Sequence, residues 1–173
     1  MSVSVEHGRG AATTARPVVW LRELRGRPIV GPDQQHLGHV RDVVVRDSPA
    51  TANTPVTGLI ADAGGHRWFV PVSAVRDLHA RRVRLRVVPI RAARRRSATE
   101  LLLVQDVLGR PVVTAPGEPP RRITDIALRH TTTGWVVWAA DTRSPVRRFL
   151  GAPRRPVPWN RIAARWFTRL HRR

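Results

Sequence analysis

Cysteine and lysine are both absent from this chain of 173 residues. Without cysteine the chain can form no disulfide, no thiolate metal site and no cysteine nucleophile, which fits a reducing cytoplasm. Because lysine is missing, all 31 basic residues are arginines, a preference typical of a GC-rich genome. The choice of arginine over lysine therefore carries no functional weight.

Long apolar segments are absent as well, since no run of about 18 apolar residues occurs. The sequence therefore predicts no transmembrane segment and a cytoplasmic location, with peripheral contact at the inner membrane surface as an alternative. Residues 1–17 lack the apolar core and the cleavage site of a secretory signal, so we expect a loose N-terminal tail there.

Familiar catalytic motifs are missing too: neither GxxxxGK[ST], nor GxGxxG, nor HExxH occurs. His36 and His39 are the closest pair of histidines, but two such residues without further ligands do not predict a metal site. Asp42 and Asp125 lie in hydrophobic strands near arginines, which favours a salt bridge or a turn hydrogen bond over acid–base catalysis. The sequence thus predicts a protein that is not an enzyme and that has no cofactor and no metal.

Acidic residues are few, and 12 of them against 31 arginines give a net charge of +19. A field this positive attracts polyanions. The predicted partner is an acidic protein or another polyanion, with RNA, the ribosome and an anionic membrane surface as alternatives. The hydrophobic fraction of 42% is enough to build a packed core.

An internal repeat organises the chain. Gly26 and Gly109 lie 83 residues apart, and Asp42 and Asp125 have the same separation. Four blocks recur in one order, namely residues 24–30 with 107–113, the strands around the two aspartates, residues 57–60 with 133–136, and residues 70–75 with 157–162. A two-copy repeat of this length indicates a duplicated domain.

Each copy is predicted to consist of short strands separated by turns. The predicted strands are residues 27–30, 40–46, 56–61, 67–71 and 83–88, then 111–114, 123–130, 135–140 and the region of Val157. The predicted fold class is mainly β, with two small barrels in tandem and a short C-terminal amphipathic helix. The predicted divisions are a tail at 1–17, a first barrel at 18–90, a basic linker at 91–99, a second barrel at 100–162 and a basic helix at 159–173 that overlaps its end.

Two basic segments supply the predicted sites for a partner or an anion. Their arginines are Arg94, Arg95 and Arg96 in the linker and Arg154, Arg155, Arg161, Arg165 and Arg169 towards the C-terminus. Ile162, Trp166 and Leu170 recur every four residues and would share one stripe of a helix. Two interpretations remain open: the stripe packs on the second barrel, or it docks on a partner or an anionic membrane.

Tryptophan is the main aromatic residue, with six copies. Most of them are predicted to lie in the core or to cover its ends. Trp159 and Trp166 are the candidates for stacking on nucleic-acid bases, because arginines surround both in the sequence.

The order of the blocks resembles the PRC-barrel domain, named after the H subunit of the photosynthetic reaction centre. The resemblance covers residues 21–88 and 101–162, and it includes the glycine before a Pro-Val or Pro-Ile step, Arg-Asp-Val-Val-Val at 41–45 and Val-Pro-Val-Ser at 70–73. With residues 69–71 and 101–108, it extends to the tandem cytoplasmic barrels of actinobacterial magnesium-transporter-like proteins. The second copy departs from the pattern, because Arg121 stands where the first has Gly38. This difference predicts that the second copy serves either as a packing partner for the first or as a distinct docking face.

The resemblance and the charge together imply a function. The first expectation is a non-catalytic cytoplasmic adaptor or regulatory module that binds an acidic partner through a basic surface. A related barrel in a ribosome maturation factor implies the alternative of an RNA- or ribosome-associated factor. The transporter-like proteins imply a third, a regulatory component related to magnesium transport.

Overall fold

A computed structural model describes residues 18–46, 54–90, 97–144, 149–151, 153–154 and 156–162. The strands within them are β1 (Val18–Trp20), β2 (Pro28–Val30), β3 (His36–Arg46), β4 (Thr54–Ala63), β5 (His66–Pro71), β6 (Val75–Asp77), β7 (Val83–Leu85), β8 (Glu100–Leu102), β9 (Pro111–Val112), β10 (Arg121–Arg122), β11 (Asp125–Thr131), β12 (Gly134–Asp141) and β13 (Val157–Pro158). Short helical turns join some of them: α1 (Leu21–Leu24), a 3₁₀ turn (Val72–Ala74) and a π turn (Leu103–Val107).

Eleven of these strands form one curled sheet with the shape of half a barrel. The strand order is β1-β11-β12-β4-β3-β2-β7-β6, with β5, β8 and β13 attached to β4, β3 and β12, while β9 and β10 pair separately. The predicted mainly β class is therefore confirmed. The division into two separate barrels is not confirmed, because strands of both repeats are hydrogen-bonded together. Of the predicted C-terminal helix, only residues 159–162 fall within the described part of the chain, and they are helical.

The two repeats exchange their first strands. β1 belongs to the first repeat but pairs with β11 of the second, with Trp20 opposite Ala127. β8 belongs to the second repeat but pairs with β3 of the first, with Leu102 opposite Val44. Each repeat therefore completes the sheet of the other.

A pseudo-twofold relation follows from the pairing of β4 with β12. Val43 pairs with Leu59 in the first repeat, as Ile126 pairs with Ala140 in the second. Counting four residues back from Leu59 and from Ala140 leads to Pro55 and Val136, which are themselves paired with each other. Equivalent residues that contact one another mark an isologous interface, here formed within one chain.

Matched hydrogen bonds relate the two copies around their shared glycines. The Gly26 amide donates to the Val40 carbonyl, and the Gly109 amide donates to the Ile123 carbonyl, both at 2.8 Å. The two glycines have φ values of 82° and 79°, a region that favours glycine and ends the preceding helical turn.

One additional residue distinguishes the turns that precede these glycines. In α1 the Arg25 amide donates to the Leu21 carbonyl at 2.8 Å, a step of four residues. In the second repeat the Leu108 amide donates to the Leu103 carbonyl at 2.9 Å, a step of five residues. The insertion therefore converts an α turn into a π turn.

The third repeat block, 57–60 with 133–136, is wrongly aligned. Gly58 lies within β4 opposite Val44, whereas Gly134 begins β12 with a φ of 115°. The strand register instead places Ala139 at the position of Gly58, because Ala139 lies opposite Ala127 as Gly58 lies opposite Val44. The Thr-Gly dipeptide that the two segments share therefore occurs in two different structural settings and does not mark equivalent positions.

Residues from both repeats contribute to one buried apolar cluster. Trp159 is 1% exposed, and its indole N–H donates to the Thr54 hydroxyl at 2.8 Å, which joins the C-terminal part of the second repeat to β4. The prediction that Trp159 stacks on bases is therefore wrong, since the ring is buried. Ile162 is also buried in this cluster. No helix in the described ranges is long and apolar enough to cross a bilayer.

Candidate anion-binding groove

A groove of about 1070 Å³ opens beside β10 in the second repeat. Arginines and hydroxyl side chains are prominent in its lining: Arg22, Arg121, Arg122, Arg143, Thr114, Thr124, Thr142 and Ser144. Guanidinium and hydroxyl groups both donate hydrogen bonds to oxyanions, so this composition is suited to an anionic ligand. We call this surface the arginine groove.

The groove exists because the second repeat departs from the first at one edge. In the first repeat, β3 and β4 remain paired as far as His39 and Asp62, and Gly38 lies directly against the Asp62 carbonyl. No side chain fits at Gly38, whose φ is 130°. In the second repeat Arg121 holds that position and β12 ends at Asp141, so among the described residues no strand pairing of β12 covers Arg121.

Backbone carbonyls hold two of the arginines in place. The Arg22 Nε donates to the Thr124 carbonyl at 2.7 Å, and the Arg122 Nη1 donates to the Gly109 carbonyl at 2.7 Å. Each guanidinium has further N–H groups beyond the one used in this way. A guanidinium fixed at one end loses less entropy when it binds a carboxylate, so the groove is partly preorganised.

Arg143 differs from the other arginines because it already has an acidic partner. Its guanidinium lies 2.7 Å from the Asp141 carboxylate, and this hydrogen bond raises the pKa of Arg143. Arg22, Arg121 and Arg122 are exposed, and within the described ranges no carboxylate comes within ion-pair distance of their guanidiniums. These three arginines supply the groove with positive charge that is available to a ligand.

One acidic side chain, Glu118, also lines the groove. Its carboxylate accepts a hydrogen bond of 2.6 Å from the Thr114 hydroxyl. The three available arginines outnumber this carboxylate, so the groove is electropositive.

Asp42 is buried and links the two repeats by hydrogen bonds. Its carboxylate accepts hydrogen bonds from the amides of Val104 at 2.7 Å and Gln105 at 3.1 Å, both in the π turn of the second repeat. The Val43 amide donates to it as well, at 2.7 Å. Burial raises the pKa of Asp42, because desolvation disfavours the charged form more than these hydrogen bonds favour it.

Asp125 holds the equivalent position and makes the reciprocal contact with fewer donors. Its Oδ1 accepts from the Arg22 amide at 3.1 Å and from the Ile126 amide at 2.9 Å. Its Oδ2 is buried and has no hydrogen-bond partner among the described residues. Burial raises the pKa of Asp125 as well. Both aspartates therefore make turn hydrogen bonds, as the sequence predicts, but to the turn of the opposite repeat.

The residues that the sequence singled out lie outside the arginine groove or outside the described ranges. Arg154 is exposed, lies 4.2 Å from the centre of the Trp20 ring and is 3.3 Å from the Glu23 carboxylate. Arg161 is exposed and Ile162 is buried. The remaining predicted residues, Arg94, Arg95, Arg96, Arg155, Arg165, Trp166, Arg169 and Leu170, lie outside the described residues.

Sequence reasoning missed the groove arginines as a site, although the replacement of Gly38 by Arg121 was visible as a departure between the copies. No signal in the sequence indicated Arg22, because it reaches the groove from the first repeat only through the exchange of first strands.

The histidine pair noted in the sequence is a local contact on β3. The rings of His36 and His39 meet edge to face with 4.7 Å between their centres. The described part of the chain contains no group of three or more histidine, aspartate or glutamate side chains placed to share a metal ion.

Comparison with known proteins adds no family. The chain matches no model of a known protein family, and a search of curated proteins finds no significantly similar sequence. The geometry of the described residues therefore carries the functional argument.

Proposed function

We propose that this chain is a non-catalytic cytoplasmic adaptor or regulatory module that binds an acidic partner in the arginine groove. The observation that supports this most directly is the cluster of Arg22, Arg121 and Arg122, which are exposed and have no carboxylate partner among the described residues. Side-chain carboxylates of an acidic segment fit such a cluster, because a guanidinium binds a carboxylate through two parallel hydrogen bonds.

The divergence between the repeats supports the same function. The position that is closed by Gly38 in the first copy carries Arg121 in the second, and the pairing that covers it ends earlier. We further propose that each repeat, completed by the strand it receives from the other, corresponds to one PRC-like barrel. The duplication would then supply one closed copy and one copy that is open for binding.

The test is the binding of a labelled peptide of glutamates and aspartates to the full chain and to the double variant Arg121→Gln/Arg122→Gln. Exposed ion pairs contribute up to about 1 kcal/mol each, so the double variant should bind about five- to thirtyfold more weakly. A matched control is Arg76→Gln/Arg84→Gln, which removes the same charge from exposed positions that do not line the groove. Equal losses in both variants would contradict the groove and leave only a general charge effect.

A single-stranded RNA of the same charge distinguishes the alternative partner. If RNA binds more tightly than the peptide, and only RNA binding is weakened by the groove variant, the ligand is a nucleic acid and the proposal of an acidic protein partner is wrong. Salt titration adds a second criterion, because RNA binding should fall with the steep slope that counterion release produces.

A further inference from the structure

The arginine groove lies between two segments whose equivalents are paired in the first repeat. Its lining includes residues 121–123 around β10 and residues 142–144 after β12. In the first repeat the equivalent segments, 38–40 and 61–63, are joined by the pairing of β3 with β4. In the described part of the second repeat, no strand pairing joins the two segments. The groove therefore marks a place where the first repeat has a closed ladder and the second does not.

The residue at the position of Gly38 explains part of this difference. A Cβ atom at Gly38 would lie 2.4 Å from the Asp62 carbonyl oxygen, so the close approach of β4 requires glycine there. Arg121 holds the equivalent position, and a strand placed as β4 is placed would collide with its side chain. Arg121 lies outside the left-handed region, so its side chain projects from the face of the strand and leaves the strand edge accessible to a backbone at ordinary spacing.

Asp141 ends the pairing of β12 at the same place. It holds the position of Ile60, beyond which β4 continues to Ala63. The Asp141 carboxylate accepts a hydrogen bond of 3.0 Å from the Arg143 amide, two residues further on. Such a contact of an aspartate with the backbone just ahead of it favours a turn over a continuing strand.

The backbone of Arg122 faces the groove. Its neighbour Ile123 uses both of its backbone groups on the side of β9, since its amide donates to the Arg110 carbonyl at 2.9 Å and its carbonyl accepts from the Gly109 amide at 2.8 Å. Successive residues of a strand direct these groups to opposite sides, so the amide and the carbonyl of Arg122 point away from β9.

The next residue on the same edge supports this direction. Thr124 lies two residues after Arg122, and its amide donates to the Asp141 carbonyl at 2.7 Å. This is the last backbone hydrogen bond towards β12 on this edge among the described residues. Beyond it, β9 is the only strand in the described ranges that pairs with β10, so the outer edge of β10 has no partner strand there.

A strand edge bordered by arginines suits an extended acidic chain. A peptide that adds a strand to a sheet gains hydrogen bonds to its main chain, and its side chains supply the specificity. Successive side chains of a strand project to opposite faces, and so do those of Arg121 and Arg122. Consecutive acidic residues would therefore offer a carboxylate to the arginine on each face.

We infer that the arginine groove binds an extended acidic segment as an additional strand on β10, with the main chain of the segment hydrogen-bonded to the amide and the carbonyl of Arg122. The inference rests on the proposed function and specifies the conformation in which the acidic partner binds. The added strand is short, because Pro120 has no amide hydrogen with which to extend the ladder.

The first experiment compares two labelled peptides in binding to the full chain. One is a peptide of six glutamates, and the other is the same peptide with every backbone nitrogen methylated. Both carry the same carboxylates, but the second has no N–H donor and its methyl groups obstruct pairing, so it should bind roughly tenfold more weakly.

The outcomes separate the inference from the proposed function. Equal binding of the two peptides, with both weakened in Arg121→Gln/Arg122→Gln, would leave the acidic partner in the groove and overturn the added strand. Binding of neither peptide would overturn both.

Substitutions of Arg122 test the backbone contact from the side of the protein. Arg122→Pro and Arg122→Gln both remove the guanidinium, but only proline removes the amide hydrogen. Proline is tolerated where an edge amide faces away from the neighbouring strand, as this one does. Arg122→Pro should bind the glutamate peptide about two- to tenfold more weakly than Arg122→Gln. Equal affinities of the two folded variants overturn the inference.

Hydrogen exchange in the unchanged protein gives a readout that does not depend on how Arg122→Pro folds. Saturation with the glutamate peptide should slow exchange of the Arg122 amide about tenfold or more, because a peptide carbonyl then accepts from it. The methylated peptide at the same concentration is the control and should slow it much less. Exchange of the Arg122 amide that is unchanged in the saturated complex, followed by ¹H–¹⁵N NMR, overturns the inference.

Discussion

Asp42 and Asp125 hold equivalent positions but face different numbers of donors. The π turn directs the amides of Val104 and Gln105 at Asp42, whereas α1 directs only the amide of Arg22 at Asp125. The additional residue in the π turn supplies the additional donor. The Oδ2 of Asp125 therefore has no hydrogen bond among the described residues, although its equivalent in Asp42 accepts one.

Asparagine at the two positions should accordingly have different effects. In Asp125→Asn the amide NH₂ can take the place of Oδ2, and both hydrogen bonds to Oδ1 remain. In Asp42→Asn the NH₂ would face the Gln105 amide, and two donors would meet. We expect Asp42→Asn to lower the free energy of unfolding by about 1–3 kcal/mol more than Asp125→Asn does. Denaturant titration at neutral pH measures this, and equal losses would show that the missing donor at Asp125 is unimportant.

The raised pKa of Asp125 also predicts how the difference in stability between the unchanged protein and Asp125→Asn varies with pH. Burial places the pKa of Asp125 in the folded state above its ordinary value of 3.8, so its charge costs stability at neutral pH. The stabilising contribution of the protonated group is complete below pH 3.8 and is lost as the pH rises through the folded-state pKa. Relative to Asp125→Asn, the unchanged protein should gain stability on acidification. Unfolding free energies of both proteins at pH 7 and at pH 3 test this, and a difference that does not change with pH would refute it.

At the scale of elements, the two helical turns differ by one residue that projects into solvent. Leu21 and Leu103 are buried at equivalent places, as are Leu24 and Val107. The two buried residues of the second repeat, Leu103 and Val107, are one residue further apart in the chain than Leu21 and Leu24. Gln105 lies between Leu103 and Val107 and is exposed.

Deletion of Gln105 should therefore be tolerated. The shortened turn would reproduce the spacing of α1, and the main loss would be one hydrogen bond to Asp42, worth about 1.5–3 kcal/mol for a charged acceptor. The matched control is deletion of Glu23, which shortens α1 below one α turn and moves Leu24 out of the core. Thermal unfolding measures both changes, and equal destabilisation would contradict the equivalence of the turns.

Local patterns in the sequence predicted most of the strands but not their partners. The alternation at 43–45 placed Val43 and Val45 on one face, and both lie in the core cluster while Val44 does not. The predicted strand 135–140 differs from β12 by one residue at each end. Which strand pairs with β3 depends on contacts between residues far apart in the chain, and periodicity within a segment contains no information about them. The arginine groove depends on the same exchange, so it could not be assembled from the sequence.

At the scale of the molecule, the exchanged strands make the two repeats one cooperative unit. Each repeat without the other lacks one strand of its sheet and the turn that Asp42 or Asp125 binds. The core cluster also contains residues of both copies. Stability should therefore belong to the pair of repeats and not to either one.

Cleavage of the chain within residues 91–96, at an inserted protease site, tests this. The two fragments should remain associated at micromolar concentration and unfold in one transition. The melting temperature should then rise with protein concentration, because unfolding has become dissociation, while that of the intact chain should not. Fragments that separate on a sizing column, each still folded, would establish two independent domains instead.

The exchange of first strands also determines when the protein can fold during its synthesis. Domains of a growing chain generally fold in order as they leave the ribosome. Here the end of β3, from Val44 to Arg46, lacks its partner β8 until Glu100–Leu102 has been made, and β1, the first strand to emerge, has no partner until β11 follows. Translation must therefore enter the second copy before the strands of the first are all paired, and it must pass β11 before β1 is paired. Until then the nascent chain exposes an unpaired strand edge, a surface that invites pairing with other nascent chains.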